Sequence, residues 1–371
     1  MKNLENLELY LQEKSNSPIY IVGAGSRGIT VGRYALEKQL NWEGYIDEKN
    51  YSVKINGKKV YSYDEIPSIK NAIYIISSIK NSEEMRKRIN GYGIEYDSII
   101  SISDEVYNEM FKIAYDNKIV KKITAKLEIF KNRYEGNRCI IIGNGPSLRI
   151  DDLNRLNQEF TFACNSIYRL YPNTSWRPTF YVAHDEQQEF EIIKNREDWN
   201  TLICSEVQYA FTSVQSASFF HRNEWCIENL FFYKRIPLIE DEVPFSSDPS
   251  QCVYSSGSVS YAMLQLAIYM GFRTIYMIGF DNTFAVEKKK DGKIVHKDVL
   301  THHPLMEEED RMFFDDSTKR KGLIWAVDSI NYGFEVANQY ANKVGAEIIN
   351  LTRGGELNTF HRQSFDEIDW G

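Results

Sequence analysis

Apolar residues in this chain gather in short runs, each followed by glycine or a small polar residue and then by a stretch with apolar positions spaced by three and four. Ile19-Tyr20-Ile21-Val22, Gly44-Tyr45-Ile46-Asp47, Ala72–Ile76 and Ser98–Ser101 are the runs of the first part. Runs this short, rich in β-branched and aromatic side chains and bounded by turn residues, predict buried strands. The stretch from Ile29 to Leu40 predicts a helix after the first of them. Residues 1–102 therefore read as one Rossmann-like domain. Over residues 103–136 the pattern changes: Val106, Met110 and Ile113, then Ile123, Leu127 and Phe130, keep helical spacing, with Asp104 placed as a cap. That predicts a helical linker. From 137 to 371 the alternation resumes, with strands expected at Cys139–Ile142, Phe160–Ala163, Thr179–Val182, Thr201–Cys204, Thr274–Ile278 and Glu347–Asn350, and helices at Ser258–Met270 and Gly322–Val344. The expected fold class is α/β: two Rossmann-like doubly wound parallel-sheet domains joined by a helical linker.

Composition agrees with two cores of ordinary size, since 371 residues carry 43% hydrophobic and 13% aromatic side chains. Lys and Arg number 44 against 52 Asp and Glu, a net charge of −8. That balance disfavours a nucleic-acid backbone as the main partner but leaves room for a local phosphate site. No apolar run approaches the ~18 residues of a membrane span, and acidic residues near Met1 replace a signal peptide's apolar core, so a cytoplasmic chain is expected. Cys139, Cys164, Cys204, Cys226 and Cys252 show no C-x-x-C spacing and read as small core residues.

In open parallel sheets ligands bind beyond the carboxyl ends of the strands, so the residues just after each run carry most weight. Gly143-Asn144-Gly145-Pro146-Ser147-Leu148 follows Cys139–Ile142. Glycine removes Cβ atoms that would block a ligand, Pro146 suits a first helical position, and Ser147 lies near that terminus; the turn reads as an anion cradle, or else as a tight turn built for steric reasons. Asn165-Ser166, His184-Asp185 and Asp281-Asn282 follow the next strands in the same way. Ser255-Ser256-Gly257-Ser258 forms a second anion-ready helix start, with Ser256 or Ser258 as the cap. In the first domain Gly23-Ala24-Gly25-Ser26-Arg27-Gly28 matches G-x-G-x-x-G between a strand and a helix. Gly23, Gly25, Gly28 and Asp47, the last placed to face a ribose, are its cofactor-binding candidates. The aromatic segment Phe219-Phe220-His221, Trp225 and Phe231-Phe232-Tyr233 reads as core or as an acceptor pocket. Arg353 reads as a phosphate contact or an ordinary turn residue, and Glu307–Asp310 as a solvated face.

GNGPSL after a strand, the later C-N-S, SSGSVS before a helix and I-G-F-D after a strand resemble the DUF115 or MptE-like group. That group takes in 6-hydroxymethylpterin diphosphokinases and flagellin-modifying motility accessory factors. The same elements are similar to those of the sialyltransferases of glycosyltransferase family 42. The resemblance covers about residues 137–355. It implies a nucleotide-activated sugar donor, CMP-linked, held by Asn144, Gly145, Pro146, Ser147, Asn165, Ser256, Gly257 and Asp281, with Asp185 orienting acceptor or nucleotide. It also implies His302 or His303 as general base, no metal, no required cofactor, and transfer to an unidentified glycan or protein acceptor. The chain departs from that family in lacking its clear phosphate-stabilising tyrosine pair, for which Tyr254 and Tyr332 are the stand-in candidates. The diphosphokinase alternative implies Mg²⁺ held by Asp185 and Asp281. The order strand, GAGSRG, helix, GYID, NGKKV and YDEIP resembles the nucleotide-sugar-binding N-terminal module of bacterial sugar acyltransferases. A non-catalytic nucleotide-binding scaffold is the reading from another class, and a homo-oligomer is compatible with any of them.

Overall fold

The computed structural model describes residues 3–48, 54–69, 71–78, 81–183, 205–216, 228–237, 243–283, 286–288, 294–296, 303–306 and 317–370. Backbone packing divides the chain into two compact units, the first chiefly residues 1–122 and the second chiefly 123–371.

In the first unit β1 (Ile19–Val22), β2 (Trp42–Ile46), β3 (Lys59–Tyr61), β4 (Ile73–Ile76) and β5 (Ile99–Ser101) form a sheet in the order β3-β2-β1-β4-β5, every pairing parallel. All residues of β1 and β4 are buried, the pattern of a sheet covered on both faces. Helices α1 (Leu4–Glu13), α2 (Ser26–Glu37), α3 (Ser82–Asn90) and α4 (Asp104–Tyr115) belong to this unit. The α4 cap is Ser103, whose side chain accepts from the Val106 N–H at 3.4 Å, while Asp104 is the first helical residue. This corrects the expected cap by one position. Strand β3, which no apolar run predicts, is a short edge strand of which only Val60 is buried.

The second unit holds an eight-stranded sheet. Its strands are β6 (Arg138–Ile142), β7 (Phe160–Cys164), β8 (Phe180–Val182), β9 (Tyr209–Ser213), β10 (Leu230–Tyr233), β13 (Thr274–Ile278), β16 (Glu347–Asn350) and β17 (His361–Arg362). They run parallel in the order β10-β9-β8-β7-β6-β13-β16-β17. Two small pieces stand beside it: β11 (Arg235–Ile236) with β12 (Val253–Tyr254), and the antiparallel pair β14 (Val286–Lys288) and β15 (Ile294–His296). The strand expected at Thr201–Cys204 lies outside the described residues; β9 and β10 extend the sheet instead. Phe162 and Phe180 stack at 4.4 Å between ring centroids, and Phe211 and Phe231 stack at 5.6 Å, both pairs within one buried cluster. Phe231, Phe232 and Tyr233 are thus core residues, whereas Phe219, Phe220, His221 and Trp225 lie outside the described residues. Cys139 and Cys164 are buried too, and burial pushes the Cys164 thiol up to about 12.

This unit also contains helices α5 (Val259–Tyr269) and α6 (Ser317–Lys343). Every residue of α5 is buried, consistent with an apolar surface on all sides. Its buried polar residues are Ser260 and Gln265, and four bonds explain the place of Gln265 in the core. Its Oε1 accepts from the N–H groups of Ser246 and Tyr254, each at 3.0 Å, and its Nε2 donates to the carbonyls of Tyr254 at 2.9 Å and Tyr261 at 3.0 Å. Gln265 thereby fixes β12, the strand that delivers Ser255 and Ser256. Gln265→Leu deprives the Ser246 N–H and the Tyr254 N–H and carbonyl of these partners and is expected to destabilise the protein by about 3 kcal/mol, measurable as a lower urea midpoint with an unchanged slope.

Candidate functional site

Strands β6 to β10 progress outward in one direction, and the chain then returns to place β13, β16 and β17 on the other side of β6. The order reverses between β6 and β13, and beyond the carboxyl ends of these strands a doubly wound sheet opens its ligand crevice. GNGPSL leaves β6 on one side of this point and Gly279-Phe280-Asp281 leaves β13 on the other.

The two turns meet backbone to backbone. A Cβ on Gly143 would lie 2.4 Å from the Gly279 oxygen; one on Gly145 would lie 2.6 Å from that oxygen and 2.0 Å from Asp281 Oδ2. The Gly143 N–H donates to the Ile278 carbonyl at 2.8 Å, the Gly145 N–H to Gly279 at 2.9 Å and the Leu148 N–H to Gly145 at 3.1 Å. Ser147 donates to Asp281 Oδ2 twice, from its N–H at 3.2 Å and its hydroxyl at 2.8 Å. The N–H groups of Gly143, Gly145, Ser147 and Leu148 are thus engaged within the protein, and GNGPSL docks the end of β6 on the end of β13. No helix starts at Pro146; the next one is the short Ile150–Asn154.

Asn144 is held by its Nδ2, which donates to the Cys164 carbonyl at 3.1 Å, and its own carbonyl accepts from the His303 N–H at 2.7 Å. Asn165 sits in the left-handed region at φ 47°, and its carbonyl accepts from the Tyr181 hydroxyl at 2.8 Å. The Oδ1 atoms of both asparagines are buried and have no hydrogen-bond partner. Such orphaned acceptors are rare in folded proteins and call for an explanation.

His303 is therefore attached to the glycine turn. Burial lowers its pKa, so the ring is neutral at pH 7. Its Nδ1 accepts from the Leu305 N–H at 3.2 Å, which leaves the proton of the neutral imidazole on Nε2. The ring presents a donor at that edge. His302 and Asp185 lie outside the described residues.

Across the site, Ser258 caps α5, its hydroxyl accepting from the Ser260 N–H at 3.3 Å, and Gly257 takes φ 86° to make the turn. Ser256 is almost wholly buried against α6, where a Cβ on Gly333 would stand 2.5 Å from its Oγ. Asn331, two residues earlier on α6, accepts at Oδ1 from Asn282 Nδ2 at 2.8 Å. Helix α6 thus joins the SSGS turn to the end of β13 through Asn331 and Gly333, which sequence reasoning missed. The available signal was a glycine inside an otherwise regular helix, where it costs about 1 kcal/mol relative to alanine and calls for a packing reason. Tyr332 is 48% exposed, and burial raises the Tyr254 phenol. Arg353, a phosphate candidate from its sequence position, is instead engaged by Asp152 at 2.9 Å and Asp366 at 2.6 Å; its guanidinium holds the Asp366 carboxyl down to about 2.

In the first unit Gly23 takes φ 94°, and a Cβ on Gly28 would lie 1.8 Å from the Gly23 oxygen. Gly25 precedes α2 with open space beside it. The Asp47 Oδ2 accepts from the Ala24 N–H at 2.7 Å, so this carboxylate braces the glycine loop.

Residues 113–287 match the family model described as 6-hydroxymethylpterin diphosphokinase MptE-like. This stretch of the chain is similar to the MptE-like family. It contains GNGPSL, Asn165, the SSGS turn and Asp281, and it ends before His303 and α6. No curated protein matches the chain. Among solved structures the chain is similar to a MAf glycosyltransferase from Magnetospirillum magneticum AMB-1, with 14% identity and a TM-score of 0.37, over 99% of this chain and 62% of that one. The chain thus spans less than two thirds of that protein's length. Outside the MptE-like stretch, His303, Asn331 and Gly333 enter the site on geometry alone. Among the described residues no helix is long and apolar enough to cross a membrane.

Proposed function

We propose that the crevice between β6 and β13 binds a nucleotide-activated sugar, CMP-linked, and that the protein transfers the glycosyl group to a glycan or protein acceptor in bacterial surface-glycan or flagellin modification. The observation that carries this reading is the convergence of GNGPSL, Asn165, Asp281 and His303 on the switch point of the second sheet, with two asparagine acceptors left open. Nucleotide contacts fall to Asn144, Gly145, Pro146, Ser147, Asn165, Ser256, Gly257 and Asp281. The neutral His303 ring offers its Nε2–H to the departing phosphate, where a fixed donor lowers the barrier most. Proton removal from the acceptor then rests with His302, and Asp185 orients acceptor or nucleotide. No metal takes part, and the reaction is placed in the cytoplasm. In the first unit, Gly23, Gly25, Gly28 and Asp47 hold a second nucleotide or nucleotide-sugar.

The family description of the MptE-like stretch favours a second reading, an Mg²⁺/ATP-dependent diphosphokinase. Asp281 would have to serve Mg²⁺ while its Oδ2 is already committed to Ser147, which weighs toward the sugar reading. A thermal-shift panel of CMP, CDP, UDP, ATP and NAD, with and without Mg²⁺, separates the two. Saturating CMP or CDP is expected to add about 2.7 kcal/mol at a hundredfold excess over Kd, without metal. A response confined to ATP with Mg²⁺ supports the diphosphokinase, and no response to any nucleotide removes both.

A further inference from the structure

The turns that leave β6, β13 and β16 stand side by side, because those strands are neighbours in the sheet. Each is tied to the next. Ser147 holds the Asp281 carboxylate from the β6 side. From the β16 side the Glu356 N–H donates to the Asp281 carbonyl at 2.6 Å, and a Cβ on Gly355 would lie 2.6 Å from that same oxygen. The Phe280 N–H donates to Thr352 Oγ1 at 3.1 Å. The turn after β16 takes its own shape from Arg362, whose guanidinium donates to the carbonyls of Thr352 at 2.6 Å, Leu357 at 3.0 Å and Gly354. Asp281 is therefore gripped from two sides, and its place depends on both turns.

Arg353 closes this row of turns on itself. From the turn after β16 its Nε and Nη2 donate to the two oxygens of Asp152, at 3.3 and 2.9 Å, on the short helix Ile150–Asn154 that follows GNGPSL. Its Nη1 and Nη2 also donate to Asp366, at 2.6 and 3.1 Å. The inner pair is largely withdrawn from solvent, with 24% of the Arg353 side chain and 10% of the Asp152 side chain exposed. A guanidinium fork fixes the direction of both carboxylates, which the point charge of a lysine does not. We infer that Arg353 is a positioning residue for the crevice: by joining the turn after β16 to the helix after GNGPSL, it sets the spacing at which Ser147 and Asp281 meet. In its effect on binding the inference rests on the nucleotide reading above; the ordering of the turns does not depend on that reading. A matched pair stands at the opposite end of the same sheet, where Arg138, the first residue of β6, forks onto Glu159 just before β7. The Glu159 side chain is likewise 10% exposed.

Hydrogen exchange and CMP titration of the full chain test the inference on Arg353→Lys, Asp152→Asn and Glu159→Gln, with urea unfolding of each to measure lost stability. Arg353→Lys and Asp152→Asn are expected to speed exchange of the Ser147, Leu148 and Glu356 amides and to weaken CMP binding by about three- to thirtyfold. Glu159→Gln is expected to lower the urea midpoint while leaving those amides and the CMP affinity as in the wild type. Affinity is read on folded protein, so lost stability alone does not move it. Asp152→Asn keeps the shape of the side chain and carries the comparison by itself if Arg353→Lys does not fold. The inference is overturned if the crevice-side variants leave exchange at the three amides unchanged, if they bind CMP as the wild type does, or if Glu159→Gln weakens CMP as much as they do. If the wild type does not bind CMP, the nucleotide reading falls, and the exchange comparison alone decides whether Arg353 positions the turns.

Discussion

Gly145→Ala is expected to eliminate nucleotide binding and to cost the fold roughly 3 kcal/mol or more, the upper range for a single methyl group. The added Cβ would stand 2.0 Å from Asp281 Oδ2 and 2.6 Å from the Gly279 carbonyl oxygen. A flexible side chain could swing away, but the Asp281 carboxylate is pinned by two bonds from Ser147 and the carbonyl belongs to a backbone that already sits at φ 70°. Relief requires the turns after β6 and β13 to separate, and the crevice is made of those turns. Denaturant unfolding and CMP titration of the same variant measure the two losses. Retention of wild-type binding in a stable Gly145→Ala protein would mean that the contact between the turns does not shape the site.

His303→Ala is expected to slow glycosyl transfer by about a hundredfold or more with little change in donor affinity, because the donated hydrogen bond matters most as charge develops on the leaving phosphate. His303→Gln, which still carries an N–H, is expected to recover part of the rate. The pH profile distinguishes this role from proton removal. A base at His303 would lose activity as pH falls through its lowered pKa, whereas a donor keeps working when the ring is protonated. The stability sign is separate. Burial lowers the folded pKa of His303, so the unfolded chain binds the proton more readily. The contribution is fully present above the unfolded imidazole pKa and is lost as pH falls toward the folded value. His303→Gln should abolish that part of the acid dependence in unfolding experiments.

Much of the fold was legible from the chain because parallel strands buried on both faces are written as continuous apolar runs. Cys139–Ile142, Thr274–Ile278 and Glu347–Asn350 were placed within a residue of their observed limits. Edge elements were harder: Lys59–Tyr61 has one buried residue and no run to announce it. The location of the crevice followed from the general rule for strand ends, and Asn144, Asn165 and Asp281 occupy those ends. The chemistry of GNGPSL did not follow. Glycines that admit a ligand and glycines that admit another backbone look the same in sequence, and only the positions of the Gly279 and Asp281 oxygens show that a second backbone is met here. Arg353 is a similar case, since its two carboxylate partners, Asp152 and Asp366, lie far from one another in the chain. Gly333 left a trace in the sequence, but its reason for being there is the Ser256 side chain across the interface.

The seam between β6 and β13 also bears on how the protein is made. Arg138 lies opposite Thr274, so β6 acquires its second neighbour only after the whole stretch between those two residues has been synthesised. Until then one edge of an apolar strand stands open to any other extended chain, the situation in which parallel α/β sheets are slowest to close and most exposed to aggregation. Because the crevice lies on that seam, it cannot exist in an incompletely closed chain. A ligand that binds there selects for finished molecules, and its presence during expression should raise the yield of soluble protein through that late closure.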